Sequence, residues 1–464
     1  MMEEFEYKGR WWLPAKKDSQ IDGTLTYSPT DGAILELSGA FGDLSRLLVS
    51  GQLSAPRIIL GTTASGQDVT LLNCAQKRRH TGGAYPTSSY RVNVVFVGAH
   101  FESHDEIDFE SLYVHYSHLD SWAGFPYFEH TREEGVTRVS YRSPERIVAY
   151  LGDGLAVSVD PGVSEQWEGS PPRRVTIEGD ARIGIRLGEP THFDKFLRPM
   201  RLTQIFLSLG VGTAVHPLTV TGVRLEMIGD VPTPRSVGIH YQPAVAVAAQ
   251  RAVFPSDMTF RLPDISDRFE QFLRNWFETA ELVGPVVDLY LATLAETGIY
   301  AELRFLMLTH ALESFHRQRC GGRYLSPEEY EPARKELDAA IPDRISRDHR
   351  DALRAKLKYG YEYSLRKRLG DLVDAHEPVL RGVFPETTAF IERVVKTRNY
   401  LTHYDEDDRE DAATGALELQ RLAVWLRTLL EVCLLGEIGF SPEELQNQLR
   451  EHSSRRVVEP ITYE

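Results

Sequence analysis

PSDMTFRLPDISDRF, residues 255–269, is where the chain changes character. Before it lie short runs rich in Val, Ile, Tyr and Thr, bounded by Gly, Pro, Asp or Ser. Such runs read as strands: Arg57–Gly61, Asp68–Cys74, Tyr90–Gly98, Ser111–Ser117, Thr137–Tyr141, Arg146–Leu151, Arg174–Gly179 and Val223–Gly229. Within DGTLTYSPTDGAILELSG, Ser28, Pro29, Asp31 and Gly32 separate Thr24–Tyr27 from Ile34–Leu37, the chemistry of a hairpin. A helix is expected near residues 193–212. After the stretch the period changes to that of a helix. Pro263, Asp264 and Ser266 suit a helix start, and Phe269, Phe272, Leu273, Trp276 and Phe277 recur on one helical face. The expected fold is α+β with two domains: a β-rich, sandwich- or barrel-like domain over residues 1–255 and an all-α helical bundle over 256–464 that includes the connector.

Further along, YAELRFLMLTHALESFHRQR is a long helix stopped by Gly321 and Gly322, and Ser326 with Pro327 is an N-cap and first-turn pair. The bundle is completed by DHRDALRAKLKYGY, SLRKRLGDLVDAH, TTAFIERVVKTRNYLTH and TGALELQRLAVWLRTLLEVCLLGEIG.

The 464 residues are 42% hydrophobic and 26% charged, values of a globular chain. No apolar run approaches the roughly 18 to 20 residues that span a bilayer, so no membrane partner is expected. The N-terminus, MMEEFEYKGRWW, lacks the basic and apolar regions of a secretory signal, and the expected location is the cytoplasm. Cys74, Cys320 and Cys433 are far apart and form no CxxC pair, so neither a structural zinc site nor a disulfide framework is expected. The net charge of −15 argues against sequence-independent binding to long nucleic acid, which needs a basic surface. A nucleic-acid function would have to rest on a local site.

KTRNYLTHYD, residues 396–405, offers such a site. Arg398 and Asn399 are adjacent, and His403 follows within the same expected helix. The spacing alone is weak, because Arg186 and His192, Arg235 and His240, Arg304 and His310, and Arg344 and His349 share it. Context separates them. The first pair straddles Gly188 and Pro190, as in a turn; the second follows two prolines; the third encloses core-like FLMLT; the fourth falls in an expected interhelical loop. In RNYLTH the exposed face is polar. Asn399 and His403, four apart, share that face, whereas Arg398 and His403 diverge by about 140°. Arg398 must reach around the helix, so two copies facing across a two-fold axis would build a better cleft than one.

RNYLTHYD, preceded by the apolar face of FIERVVKT, resembles the RNxxxH motif of HEPN domains, which are helical-bundle ribonucleases, metal-independent and usually dimeric. LMLTHALESFHR (306–317), YSLRKRLGDLV (363–373) and VVKTRNYLTHYD are together similar to the ApeA-like branch of that family. In the first half, GRWWLPAKKDSQIDGTLTYSPTDGAILELSG (9–39), IILGTTASGQDVTLLNC (58–74) and FVGAHF (96–101) resemble the domain that precedes it. The resemblance covers most of the chain. It implies RNA cleavage in bacterial anti-phage defence by abortive infection, without cofactor or metal. Arg398 would bind phosphate, His403 would act as general acid and base, and Asn399 would position one of them. The products would carry 2′,3′-cyclic phosphate and 5′-hydroxyl ends. Glu313 would orient Arg398 or His403, set against an ordinary surface pairing with Arg317. Implied partners are an RNA substrate (tRNA or another structured RNA), a second copy through the HEPN domain with room for higher assembly, and a phage-encoded trigger. The β-rich domain would be sensor or regulator. Some relatives are described with a zinc module, which this cysteine count does not match.

Other features carry less. KRRH (77–80) reads as a solvated basic loop between strands. His100 with His104, and His115 with His118, lack a carboxylate pattern at metal-site spacing. At least one of Trp11 and Trp12 reads as core before ligand platform. The acids 405–408 read as a loop leading to a helix start, not a magnesium site. Two alternatives stay open: a non-catalytic helical module that dimerises or binds RNA or nucleotide, and a carbohydrate-active or lectin-like protein built on the β-domain.

Overall fold

Alternation with a period of two shapes the first half of the chain. The computed structural model describes residues 2–41, 57–80, 86–133, 135–243, 252–295, 300–381, 387–404 and 406–453. They divide into two compact units, Met1–Arg274 with Leu294–Thr297, and Asn275–Thr293 with Gly298–Glu464. In the first unit the strands are β1 (Phe5–Trp12), β2 (Ile21–Ser28), β3 (Gly32–Leu37), β4 (Ile58–Thr63), β5 (Asp68–His80), β6 (Thr87–Val97) and β7 (Asp108–Tyr116). After a short helix α1 (Leu119–Ala123) come β8 (Phe128–Glu133), β9 (Val136–Tyr141), β10 (Ile147–Gly152), β11 (Leu155–Glu168) and β12 (Arg174–His192). Helix α2 (Asp194–Val211) precedes β13 (Pro217–Ile228) and β14 (Val231–Tyr241).

All but the β8–β9 hairpin join one antiparallel sheet in the order β10-β11-β12-β7-β13-β14-β6-β3-β2-β1-β4-β5. β5 then returns to pair with β6, so six strands, β1 to β6, close on themselves as a barrel. The hinge of this arrangement is β6. Its Ser88–Val92 segment pairs with β3, its Val94–Val97 segment pairs with β14, and its other edge is taken by β5. Closure removes the open edges that a flat sheet would leave. The open part of the sheet is covered by α2, which packs on β12 and β7 and buries Phe196, Met200, Ile205, Phe206 and Leu209.

Trp11 is 0% exposed and Trp12 is 3% exposed, so both belong to the core. Trp11 lies directly across from Gly61 of β4, and a Cβ on that glycine would stand 2.2 Å from the indole Cε3. Neither a buried ring nor a paired strand can yield that space cheaply. Gly61→Ala is therefore expected to destabilise the first unit by about 1–3 kcal/mol, the usual cost of overpacking a core. A urea titration of the full chain, followed by tryptophan fluorescence, reads this as an earlier midpoint.

The connecting stretch is itself packed. Met258, Phe260, Leu262 and Ile265 are buried, and the Phe260 ring meets Trp122 of α1 and Phe206 of α2. Its amide donates to the Gly210 carbonyl over 3.1 Å. α3 (Leu262–Ile265) and a 3-10 turn lead into α4 (Phe269–Val283), inside which the division between units falls.

The second unit is helical: α5 (Val286–Ala295), α6 (Ala301–Cys320), α7 (Pro327–Ala339), α8 (Arg347–Leu357), α9 (Leu365–Ala375), α10 (Glu377–Leu380), α11 (Thr387–His403), α12 (Glu406–Arg409), α13 (Ala416–Ile438) and α14 (Pro442–Ser453). α13, buried along most of its length, packs against α6, and α9 and α11 pack on the same pair. Ser326 caps α7 in a reciprocal box with Glu329. The fold is thus α+β, a barrel-and-sheet unit followed by a helical bundle.

Candidate active site

Helix α11 holds three of the four expected residues, and its packing decides which face they share. Phe390, Ile391, Val394 and Thr397 form its buried side. The Thr397 hydroxyl accepts the Ala413 amide at 2.9 Å, Arg393 pairs with Glu418, and Lys396 pairs with Asp411 at 2.7 Å. These ties fix the helix in rotation and in register. At its end Thr402 Oγ1 donates to the Arg398 carbonyl, and Tyr404 turns left-handed with φ of 53°. The helix therefore stops at His403, one turn beyond Asn399.

Arg398 and Asn399 are brought together: Nη1 of the arginine donates to the amide oxygen of the asparagine over 3.2 Å. From α6, the Glu313 carboxylate stands 3.9 Å from Arg398 Nη2 and 3.7 Å from Arg317 Nη2. Glu313 thus faces both Arg398 and the surface partner Arg317. The His403 side chain is exposed and makes no hydrogen bond or ion pair among the described residues. Leu401, between Asn399 and His403 on the same helix, is half-buried. Of the acids beyond, Asp405 lies outside the described residues, and Glu406 belongs to the short α12, where it pairs with Arg409 at 3.1 Å. Glu406 to Asp408 are thus a helical turn instead of the expected loop.

Behind Glu313 runs a set of charges the sequence reading did not single out. Arg317 Nη1 reaches Glu362 at 2.8 Å, and Glu362 stands 3.9 Å from Arg368 Nη2. Arg368 is 1% exposed and donates to the carbonyls of Tyr363, Gly321 and Gly322 and to His316 Nδ1. His316, itself 0% exposed, uses Nε2 toward Asp371 at 3.2 Å. Because Nδ1 accepts from a guanidinium, the imidazole is neutral with its proton on Nε2. Burial lowers its pKa from the ordinary value, and Arg368 adds to this while Asp371 opposes it.

The rival Arg–His pairs fall elsewhere. Arg186 and His192 are both on β12, separated by a break in its register rather than a turn, and Arg235 and His240 are on β14. Lys77 to His80 extend β5 instead of forming a loop. The roomier grooves of the first unit, about 600 and 740 Å³, lie against barrel strands, the larger lined by Glu4, Glu6, Lys77 and Arg91 among others.

Residues 6–276 match the family model described as ApeA N-terminal domain 1, and residues 306–444 match the one described as Apea-like HEPN. The chain belongs to the ApeA-like HEPN family. The HEPN match of this ApeA-like protein takes in most of α6 and all of α9 and α11, and with them Glu313, Arg398, Asn399 and His403. No match was found among curated proteins or solved structures. Among the described residues of this HEPN-family chain, no helix is long and apolar enough to cross a membrane.

Proposed function

We propose that this ApeA-like HEPN protein is a metal-independent endoribonuclease of bacterial anti-phage defence, acting by abortive infection, with Arg398, Asn399 and His403 as its catalytic residues. The observation that carries the reading is the end of α11, where Arg398 is held by Asn399 and faces Glu313 while His403 stands exposed and unpartnered among the described residues. Arg398 binds the scissile phosphate and stabilises the charge that builds on its oxygens. The RNA 2′-oxygen attacks phosphorus and the 5′-oxygen leaves. A histidine base accepts the 2′-proton, and a histidine acid supplies one to the leaving oxygen. One imidazole cannot be base and acid in the same step. Two copies of α11 across a dimer axis supply both, which is why the catalytic unit is a homodimer. The N-terminal domain restrains the nuclease until a phage-derived trigger arrives.

The purified chain, incubated with total RNA from infected cells in EDTA, is expected to release fragments with 2′,3′-cyclic phosphate and 5′-hydroxyl ends. These ends accept label from polynucleotide kinase without prior phosphatase treatment. Fragments bearing 5′-phosphates would sink the mechanism.

Glu313 is a positioning residue in this reading. A part-exposed ion pair contributes about 0.2–1 kcal/mol, so Glu313→Gln is expected to slow cleavage by no more than about fivefold. A loss comparable to that of an Arg398 variant would instead place Glu313 among the reacting groups.

A further inference from the structure

In the first unit, three side chains distant in sequence converge beside the end of β12. His104 lies in a 3-10 turn (His104–Glu106) before β7, His192 ends β12, and Asp194 opens α2. We propose that His104, His192 and Asp194 bind one divalent ion of the zinc class, with imidazole Nε2 of His104, Nδ1 of His192 and a carboxylate oxygen of Asp194 as ligands.

The geometry carries this. The Asp194 oxygen stands 3.6 Å from His104 Nε2 and 3.6 Å from His192 Nδ1, and the three atoms lie within 4.8 Å of one another. Ligand atoms around a tetrahedral zinc, at bond lengths near 2.0–2.1 Å, are separated by about 3.3–3.4 Å. Small side-chain adjustments close the difference. The two rings lie with centroids 4.3 Å apart and a tilt of 33°, close enough that a small rotation brings both nitrogens onto one ion.

The backbone beneath is already fixed. His192 pairs with Asp108 across the β12–β7 ladder, and the Phe193 amide donates to the Ile107 carbonyl at 2.9 Å. His192 Nε2 contacts the His104 carbonyl at 2.9 Å, so this nitrogen carries the proton and Nδ1 presents its lone pair. A metal-bound histidine is ordinarily oriented in this way, by its second nitrogen donating to a carbonyl. The Asp194 amide, 3.3 Å from Nδ1, is the contact an ion would displace. Asp105, 4.0 Å from His104 Nδ1, is placed to orient the other ring.

Two imidazoles and one carboxylate select zinc and its neighbours over magnesium or calcium, which prefer all-oxygen shells. Three protein ligands leave a fourth position, and it opens to solvent, since the His104 and Asp194 side chains are 47% and 54% exposed. Bound metal would pin the turn before β7 to the strand–helix junction.

Direct binding tests the proposal independently of RNA cleavage. The full chain is stripped with chelator, dialysed, and titrated with Co²⁺ followed by visible absorption, then with Zn²⁺ as competitor. One Co²⁺ per chain is expected, displaced by Zn²⁺ and not by Mg²⁺, together with a rise in melting temperature on adding Zn²⁺. His192→Ala and Asp194→Asn are expected to weaken binding at least about tenfold. His104→Gln and His192→Gln serve as shape-conserving variants, and a circular dichroism spectrum matching the parent shows that each is folded. Lack of a saturable cobalt spectrum, or folded variants that bind as tightly as the parent, would overturn the site and leave an ordinary His–Asp–His surface cluster.

Discussion

His403→Ala is expected to slow RNA cleavage by about 10²- to 10⁴-fold, the usual contribution of a positioned acid or base, and to leave the melting temperature unchanged. The side chain is exposed, ends α11 and makes no hydrogen bond or ion pair among the described residues, so its removal leaves no buried group unsatisfied. Loss of activity with an unaltered melt separates chemistry from folding. Arg398→Ala is its companion, with an expected loss of about 10²–10³-fold from the missing stabilisation of phosphate charge. Shared acid and base make a sharper demand. A mixed dimer of one parent chain and one His403→Ala chain is expected to be as slow as the dimer substituted twice. If it keeps half the parent rate, each site is complete within one chain and the two-copy mechanism fails. Single-turnover rates on tandem-tagged dimers distinguish these outcomes.

The helical half was the more readable part of the chain because its signals are local. Ser326 with Pro327, Gly321 after Cys320, and the stripe from Phe269 to Trp276 each act within a few residues, and each stands where expected. The β half depends on distant pairing and was read only in part. β1 carries Phe5, Tyr7 and Trp11 at alternate positions, a strand period that Glu6, Lys8 and Arg10 disguise as a polar terminus. β11 was missed for a different reason. Pro161 and Gly162 look like a turn, yet the strand runs through them, paired with β12 from Leu155 to Glu168. Its pairing with β10 stops at Val159, so Pro161 sits where one edge has no partner strand among the described residues, a position that tolerates a missing amide.

The candidate site divides in the same way. Arg398, Asn399 and His403 are neighbours on one helix and could be read together. In sequence His104 stands near His100, whereas in the structure its neighbours are His192 and Asp194, brought in by the β7–β12 ladder. No sequence spacing encodes that meeting. Arg368 and His316 did leave a trace. Leu365, Leu369, Leu372 and Val373 are the buried stripe of α9, and Arg368 occupies a position within it. His316 similarly continues the stripe of Phe305, Leu308 and Leu312 on α6. A charged residue in register with an apolar face either ends a helix's burial or is buried with its partners.

Arg368→Ala tests the second possibility and is expected to cost the helical unit about 3–5 kcal/mol, the penalty for removing one member of a buried charged network. The loss comes less from the arginine's own bonds than from what it leaves behind. The carbonyls of Tyr363, Gly321 and Gly322 lose a donor, and so does His316 Nδ1. Urea unfolding should show an earlier midpoint, while Lys367→Ala at the exposed neighbour should scarcely move it. Acid sensitivity supplies an independent check. His316 is buried neutral, with its folded pKa lowered, and an unfolded histidine titrates near 6.5. Below about that pH the unfolded chain binds a proton that the folded chain refuses, so stability falls as pH falls. The Arg368 charge helps keep His316 unprotonated. Without it the folded ring accepts the proton more readily, and the decline between pH 7 and 5 should be shallower in the variant than in the parent. A variant as stable as the parent, with the same pH slope, would show that the chain of charges behind Glu313 is not a structural support of α11. Instability with a shallower slope would tie the stability of the helical unit to a buried histidine of α6, the helix that carries Glu313.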